Sequence, residues 1–145
     1  MNSARSHIQC LALTLLAAIF SGGVYAQTTI DLNQVNGGMR IVGEVSGDEA
    51  GGSIHAADLN GDGYSDIIIG APSASAGGRA LAGKVYVVLG SANPPTNINL
   101  GTQANMVVLG RAAGDQMGNP VNAVDINGDG YDDLVIGAQG ANSSA

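Results

Sequence analysis

Short apolar runs rich in Val and Ile recur along this chain between clusters of Gly, Asn, Asp and Pro. Runs of that kind, bounded by turn residues, read as β-strands. They predict strands at residues 53–57, 66–71, 84–89 and 106–109. Beyond the first 26 residues no stretch combines helical spacing with capping residues. The chain is therefore expected to be all-β.

The pattern also repeats. Shifted by 67 residues, Val42 and Gly43 meet Leu109 and Gly110, and Gly47 and Asp48 meet Gly114 and Asp115. Gly51 then meets Gly118, and Gly70 and Ala71 meet Gly137 and Ala138. A looser lead-in pairs Ile30, Asp31 and Leu32 with Ile98, Asn99 and Leu100, at the cost of one inserted residue. The units expected are 27–97 and 98–145. Four-stranded antiparallel units at such a period suggest β-propeller blades. The chain would hold about one complete blade and part of a second.

The repeat centres on a polar loop. Asp58-Leu-Asn-Gly-Asp-Gly-Tyr-Ser-Asp66 returns as Asp125-Ile-Asn-Gly-Asp-Gly-Tyr-Asp-Asp133. Oxygen-bearing side chains stand at loop positions 1, 3, 5 and 9, with Gly at position 6. Hard cations such as calcium take several oxygen ligands at about 2.3–2.6 Å, and carboxylates at alternate positions can curl round to supply them. Gly63 and Gly130 permit the sharp turn, and the carbonyl of Tyr64 or Tyr131 can face an ion. Without an ion, two carboxylates ~4 Å apart repel by roughly 4 kcal/mol at an effective dielectric of ~20. A polar turn with its acids facing water is the plainer alternative. Two copies in one register count against it. The EF-hand opens similarly but needs an acid at position 12 and a helix beyond. Here position 12 is Ile69 or Ile136, inside a strand-like run.

Composition narrows the picture. The chain has 145 residues, 23 of them Gly, and 3% aromatic residues. That composition fits a turn-rich globular protein of small side chains. A net charge of −7, with no basic patch, excludes a phosphate-backbone binder. Residues 1–26 read as a secretory signal: Arg5 and His7, an apolar run at 8–20, and a small-residue cleavage site ending at Ala26. The apolar run is short for a membrane span. Cys10, the single cysteine, lies inside this segment, so the processed chain would hold no disulfide. The expected location is secreted, periplasmic or cell-surface, where calcium is plentiful enough to fill a site with a Kd of ~10⁻⁴–10⁻³ M.

Gly47-Asp-x-x-Gly51, then Asp58-x-Asn-x-Asp-Gly-x-x-Asp66, then Ile69-Gly-Ala-Pro72 resembles the FG-GAP repeat of integrin α-subunit propellers and their bacterial relatives. The resemblance covers essentially residues 30–145. It implies a calcium ion in each blade's loop between the first two strands. The implied ligands are Asp58, Asn60, Asp62, Tyr64 by its carbonyl, and Asp66, then Asp125, Asn127, Asp129, Tyr131 by its carbonyl, and Asp133. The family's Phe is replaced by Ala50 and Met117, and its Gly-Ala-Pro becomes Gly137-Ala-Gln139 in the second copy. Pro120 takes the place of Ser53, which the innermost edge strand of a blade tolerates.

The function expected is a calcium-binding module for adhesion or for binding an extracellular protein or glycan. In a meander the loop at 73–83, which carries Arg79, emerges opposite the calcium loops together with the 43–52 connection. It is the best candidate contact surface. The alternatives are the non-catalytic repeat region of a phospholipase-like secreted hydrolase and a calcium-dependent carbohydrate-binding module. Catalysis is not expected: His55, the one histidine past the leader, sits in a predicted strand, and no Gly-x-Ser-x-Gly elbow occurs. Few aromatic rings are on offer for stacking on sugars. Asn142-Ser-Ser144 matches a weak glycosylation pattern. One and a half blades leave sheet faces uncovered, so further repeats or self-association are expected to complete the fold.

Overall fold

The alternation of apolar residues fixes two opposite faces on one central sheet. A computed structural model describes residues 39–142 and, by backbone alone, residues 7–10. The central sheet contains β3 (Ser53–Ala57), β4 (Asp66–Ala71), β5 (Lys84–Val88) and β7 (Met106–Leu109), antiparallel and in that order. It is a complete four-stranded blade. Along β5, Val85 and Val87 point to one side and Tyr86 and Val88 to the other, as a period of two requires. In β4, Ile68 joins Val85 and Val87, while Ile69 joins Tyr86 and Val88. Both faces are covered, which is why β4 reads as a continuous apolar run.

One cover is a three-stranded sheet of β1 (His7–Cys10), β2 (Met39–Val42) and β6 (Asn97–Asn99), ordered β1-β2-β6. β1 pairs antiparallel with β2, and β2 pairs parallel with β6. After β6 comes the short helix α1 (Leu100–Gln103), capped by the Asn99 side chain on Gly101 N. Ile41, Ile98 and Leu100 seal this side of the blade. The other cover is the hairpin of β8 (Met117–Val124) and β9 (Asp133–Ala138), whose Val121, Leu134 and Ile136 pack on Ile68, Val85 and Val87. It supplies the first two strands of a second blade.

The glycines of the repeat explain how closely these layers approach. A Cβ on Gly70 would lie 1.8 Å from the carbonyl oxygen of Gly118. One repeat's Gly-Ala element thus stacks backbone-to-backbone on the next repeat's loop glycine. Gly118 itself, at φ +105, occupies a region that side chains avoid. Met117, in the family's Phe position, fills space beside this contact, and Ala50 lies in the core on the far face.

Three expected strands have the observed bounds; the fourth ends at Val88, because Leu89 N donates instead to Asn105 Oδ1 at 2.9 Å. β2, β6 and α1 were not expected. Most of the stretch read as an export signal lies outside the described residues. The part within them is β1, for which only the backbone pairing is described. Among the described residues no helix is long and apolar enough to cross a membrane.

Candidate metal centre

Each polar loop joins the first two strands of its sheet: residues 58–65 link β3 to β4, and 125–132 link β8 to β9. The loops carry the same internal wiring. Asp58 Oδ1 accepts from Gly61 N at 2.8 Å and Asp62 N at 3.1 Å, and its Oδ2 accepts from Gly63 N at 2.8 Å. Asp125 repeats this with Gly128 N, Asp129 N and Gly130 N at 2.7, 3.2 and 2.9 Å. Asn60 Oδ1 accepts from Asp62 N, and Asn127 Oδ1 from Asp129 N. Asp62 and Asp129 accept from the backbone N of Tyr64 and Tyr131. The first residue of each loop therefore sits in a nest of N–H dipoles. The Gly130 N–H above all holds the Asp125 carboxyl below the usual 3.8; desolvation works against it, and the N–H groups of Gly128, Asp129 and Asn127 add smaller lowering effects. Part of the carboxylate repulsion implied by the sequence is thus answered by the loop's own backbone.

The acid at position 9 does a further job. Asp66 is fully buried, and its two oxygens accept from Leu59 N at 3.0 Å and Gly90 N at 2.8 Å. It ties the loop to the strand end after β5. In the second loop Asp133 accepts from Ile126 N at 3.0 Å and is only half-buried. Every donor in both sets is an oxygen, which fits a hard cation in chemistry. Among the described residues no three acidic, histidine or cysteine side chains form a metal cage by themselves. Asn60 Nδ2 instead donates to Asp62 Oδ2 at 2.9 Å.

The two loops also touch. The ring of Tyr131 lies against Gly61, so close that a Cβ there would sit 2.3 Å from Cε1 and 2.9 Å from Cδ1. No sequence signal marks this contact, since it joins residues of two different repeats. At the opposite end Ser73 N donates to the Asp48 carbonyl at 3.2 Å, and Ser73 Oγ donates to Glu49 Oε2 at 2.8 Å. Connection and loop emerge together there, as the meander requires. Arg79, expected as a contact residue, donates from Nε to the Gly110 carbonyl at 3.0 Å and is half-buried. Ala74, Ala76 and Ala82 are buried and anchor that loop, while Ser75, Gly77, Gly78, Ala80 and Leu81 between them are exposed. His55 stays in β3, half-buried opposite Ile68.

A second polar group, invisible in the sequence, stands under the 43–52 connection. Glu44 Oε2 accepts from Lys84 Nζ at 2.6 Å and from the Tyr86 hydroxyl at 2.7 Å. The Lys84 bond, then the Tyr86 bond, hold the Glu44 carboxyl below its usual range. Burial pushes Asp48 up, and burial together with Glu44 pushes Tyr86 up.

Stacked antiparallel sheets with polar loops at one end define a β-propeller type of repeat protein. The chain carries FG-GAP repeats: the family model for "FG-GAP repeat" matches residues 50–88 and 118–145. The chain is 37% identical over 90 residues to phosphatidylinositol-glycan-specific phospholipase D of Rattus norvegicus, covering 61% of this chain and 11% of that protein. It is 36% identical over 107 residues to integrin alpha-PS5 of Drosophila melanogaster, covering 71% and 10%. To human integrin alpha-IIb it is 38% identical over 88 residues, covering 61% and 8%. The chain thus spans about a tenth of the length of these relatives. The FG-GAP repeat is a non-catalytic module, and the phospholipase matches fall on the repeat region.

Proposed function

We propose that this chain is a calcium-binding FG-GAP module of a β-propeller, exported from the cytoplasm, that serves adhesion or the binding of a protein or glycan outside the cell. The observation that carries the reading is the duplicated loop, with the same all-oxygen donors at the same positions and the same N–H nest under Asp58 and Asp125. Asp58, Asn60, Asp62, Asp66 and the Tyr64 carbonyl would hold one ion. Asp125, Asn127, Asp129, Asp133 and the Tyr131 carbonyl would hold the other. The ion's role is structural: it neutralises the acids and adds about 1.4 kcal/mol per site at a tenfold excess over Kd.

A second reading rests on the phospholipase matches. The same module would then be the non-catalytic repeat region of a larger hydrolase. The half-exposed face of β9 suits either reading, because its counterpart in β4 is covered on both sides; further repeats or a second copy would cover it. Calorimetric titration with calcium tests the shared core. About two sites are expected, and Asp62→Ala combined with Asp129→Ala removes both heats. Unchanged heats in that double variant sink the loop assignment.

A further inference from the structure

Tyr131 belongs to both loops at once. Its backbone N donates to Asp129 Oδ1 at 2.9 Å, inside the second loop. Its ring lies on Gly61 of the first loop, within van der Waals contact at a residue where even a methyl group would collide. Gly61 is no bystander: its N–H is one of the donors that grip Asp58, the first acid of that loop. The relation is not mutual. Nothing lies within 4 Å of where a Cβ on Gly128, the matching residue of the second loop, would stand. Tyr64, the counterpart of Tyr131, instead leans by its Cβ on Gly90.

We propose that Tyr131 is a positioning residue that couples the two loops, so that a divalent cation held in the second raises the first loop's affinity for its own. The inference rests on the calcium reading above. The physical route is short. An ion in the second loop fixes the backbone at Tyr131, and with it the ring. The fixed ring confines Gly61 in its left-handed conformation, φ +72, and so keeps the N–H on Asp58. The first loop then loses less freedom when it closes on an ion. Linkage makes the effect reciprocal: the first ion tightens the second site by the same factor.

Glycine amides give each loop a separate readout. In the full chain, titrated with calcium alone, the NMR shifts of Gly61 and Gly63 follow the first loop, and those of Gly128 and Gly130 the second. Asp129→Asn is expected to abolish the response of the second pair and weaken the first loop's affinity by about fivefold. Tyr131→Ala weakens both loops by a similar factor, and adding Asp129→Asn to it weakens the first loop no further. Tyr131→Phe keeps the ring face and therefore keeps the coupling. A first-loop affinity untouched by Asp129→Asn overturns the proposal, and that variant leaves Tyr131 itself intact. So does a Phe variant that behaves like Ala. If neither pair of amides moves with calcium, the metal reading fails and the coupling with it. Two independent sites defeat the coupling alone.

Discussion

Glu44 shows how much one side chain can decide. It gathers Lys84 and Tyr86 of β5 beneath the connection that leads into β3. Because its carboxyl is held below the ordinary 4.5, folding favours the ionised form. That contribution is complete above the ordinary value and is lost as pH falls through the lowered one. Asp48 works the other way. Burial raises it, so its contribution is complete below the ordinary 3.8 and is lost as pH rises through the raised value. Replacing Glu44 by Gln is expected to lower stability by about 1 kcal/mol at pH 7, after allowance for its partial exposure. Thermal melts of both proteins at pH 7 and pH 3 check this: the gap narrows in acid, because protonation of Glu44 removes what the ionised carboxylate contributes, while Asp48 is common to both proteins. The loop acids were legible in the sequence because their spacing is a code. Glu44 was not, since 40 residues separate it from Lys84 and no periodicity links them.

At the scale of elements, apolar runs bounded by turn residues were the readable ones, whether buried on both faces like β4 or largely exposed like β7. β3, β4 and β7 stand where their apolar runs put them. β2 has Arg40 within four residues, and β6 is only Asn-Ile-Asn, too little for any period to register. The helix α1 is four residues long, barely one turn. One usable signal was missed: at the offset of 67, Met39–Val42 aligns with Met106–Leu109, so a strand in one implies a strand in the other. Layer contact gives the sharpest prediction here. Gly70→Ala forces a methyl into the Gly118 carbonyl, and β4 and β8 must separate to admit it. The expected cost is about 3 kcal/mol, measured by urea unfolding. Gly63→Ala serves as a comparison: nothing stands within 4 Å, and its penalty comes from the φ of +85 alone.

For the molecule as a whole, equal sequence does not mean equal environment. Ile68 in β4 is fully buried, whereas Val135, the matching residue of β9, is 39% exposed. The central blade is clamped between two layers, and the hairpin has one. Backbone amides of β4 are therefore expected to exchange at a rate near that of global unfolding, and those of β9 roughly tenfold faster or more. Hydrogen exchange read by mass spectrometry or NMR checks the order. Equal protection would mean that the hairpin face is covered in solution by another copy.

The sheet that begins with β3 is finished by β7, which lies beyond residue 97, where the second unit of sequence has already begun. Sequence period and sheet period are out of phase by a strand. A genetic duplication or deletion of one whole repeat would hand a strand across each seam, so neighbours stay stitched through every such change. Shuffling by repeats keeps every blade whole; trimming to the repeat boundary unpicks one.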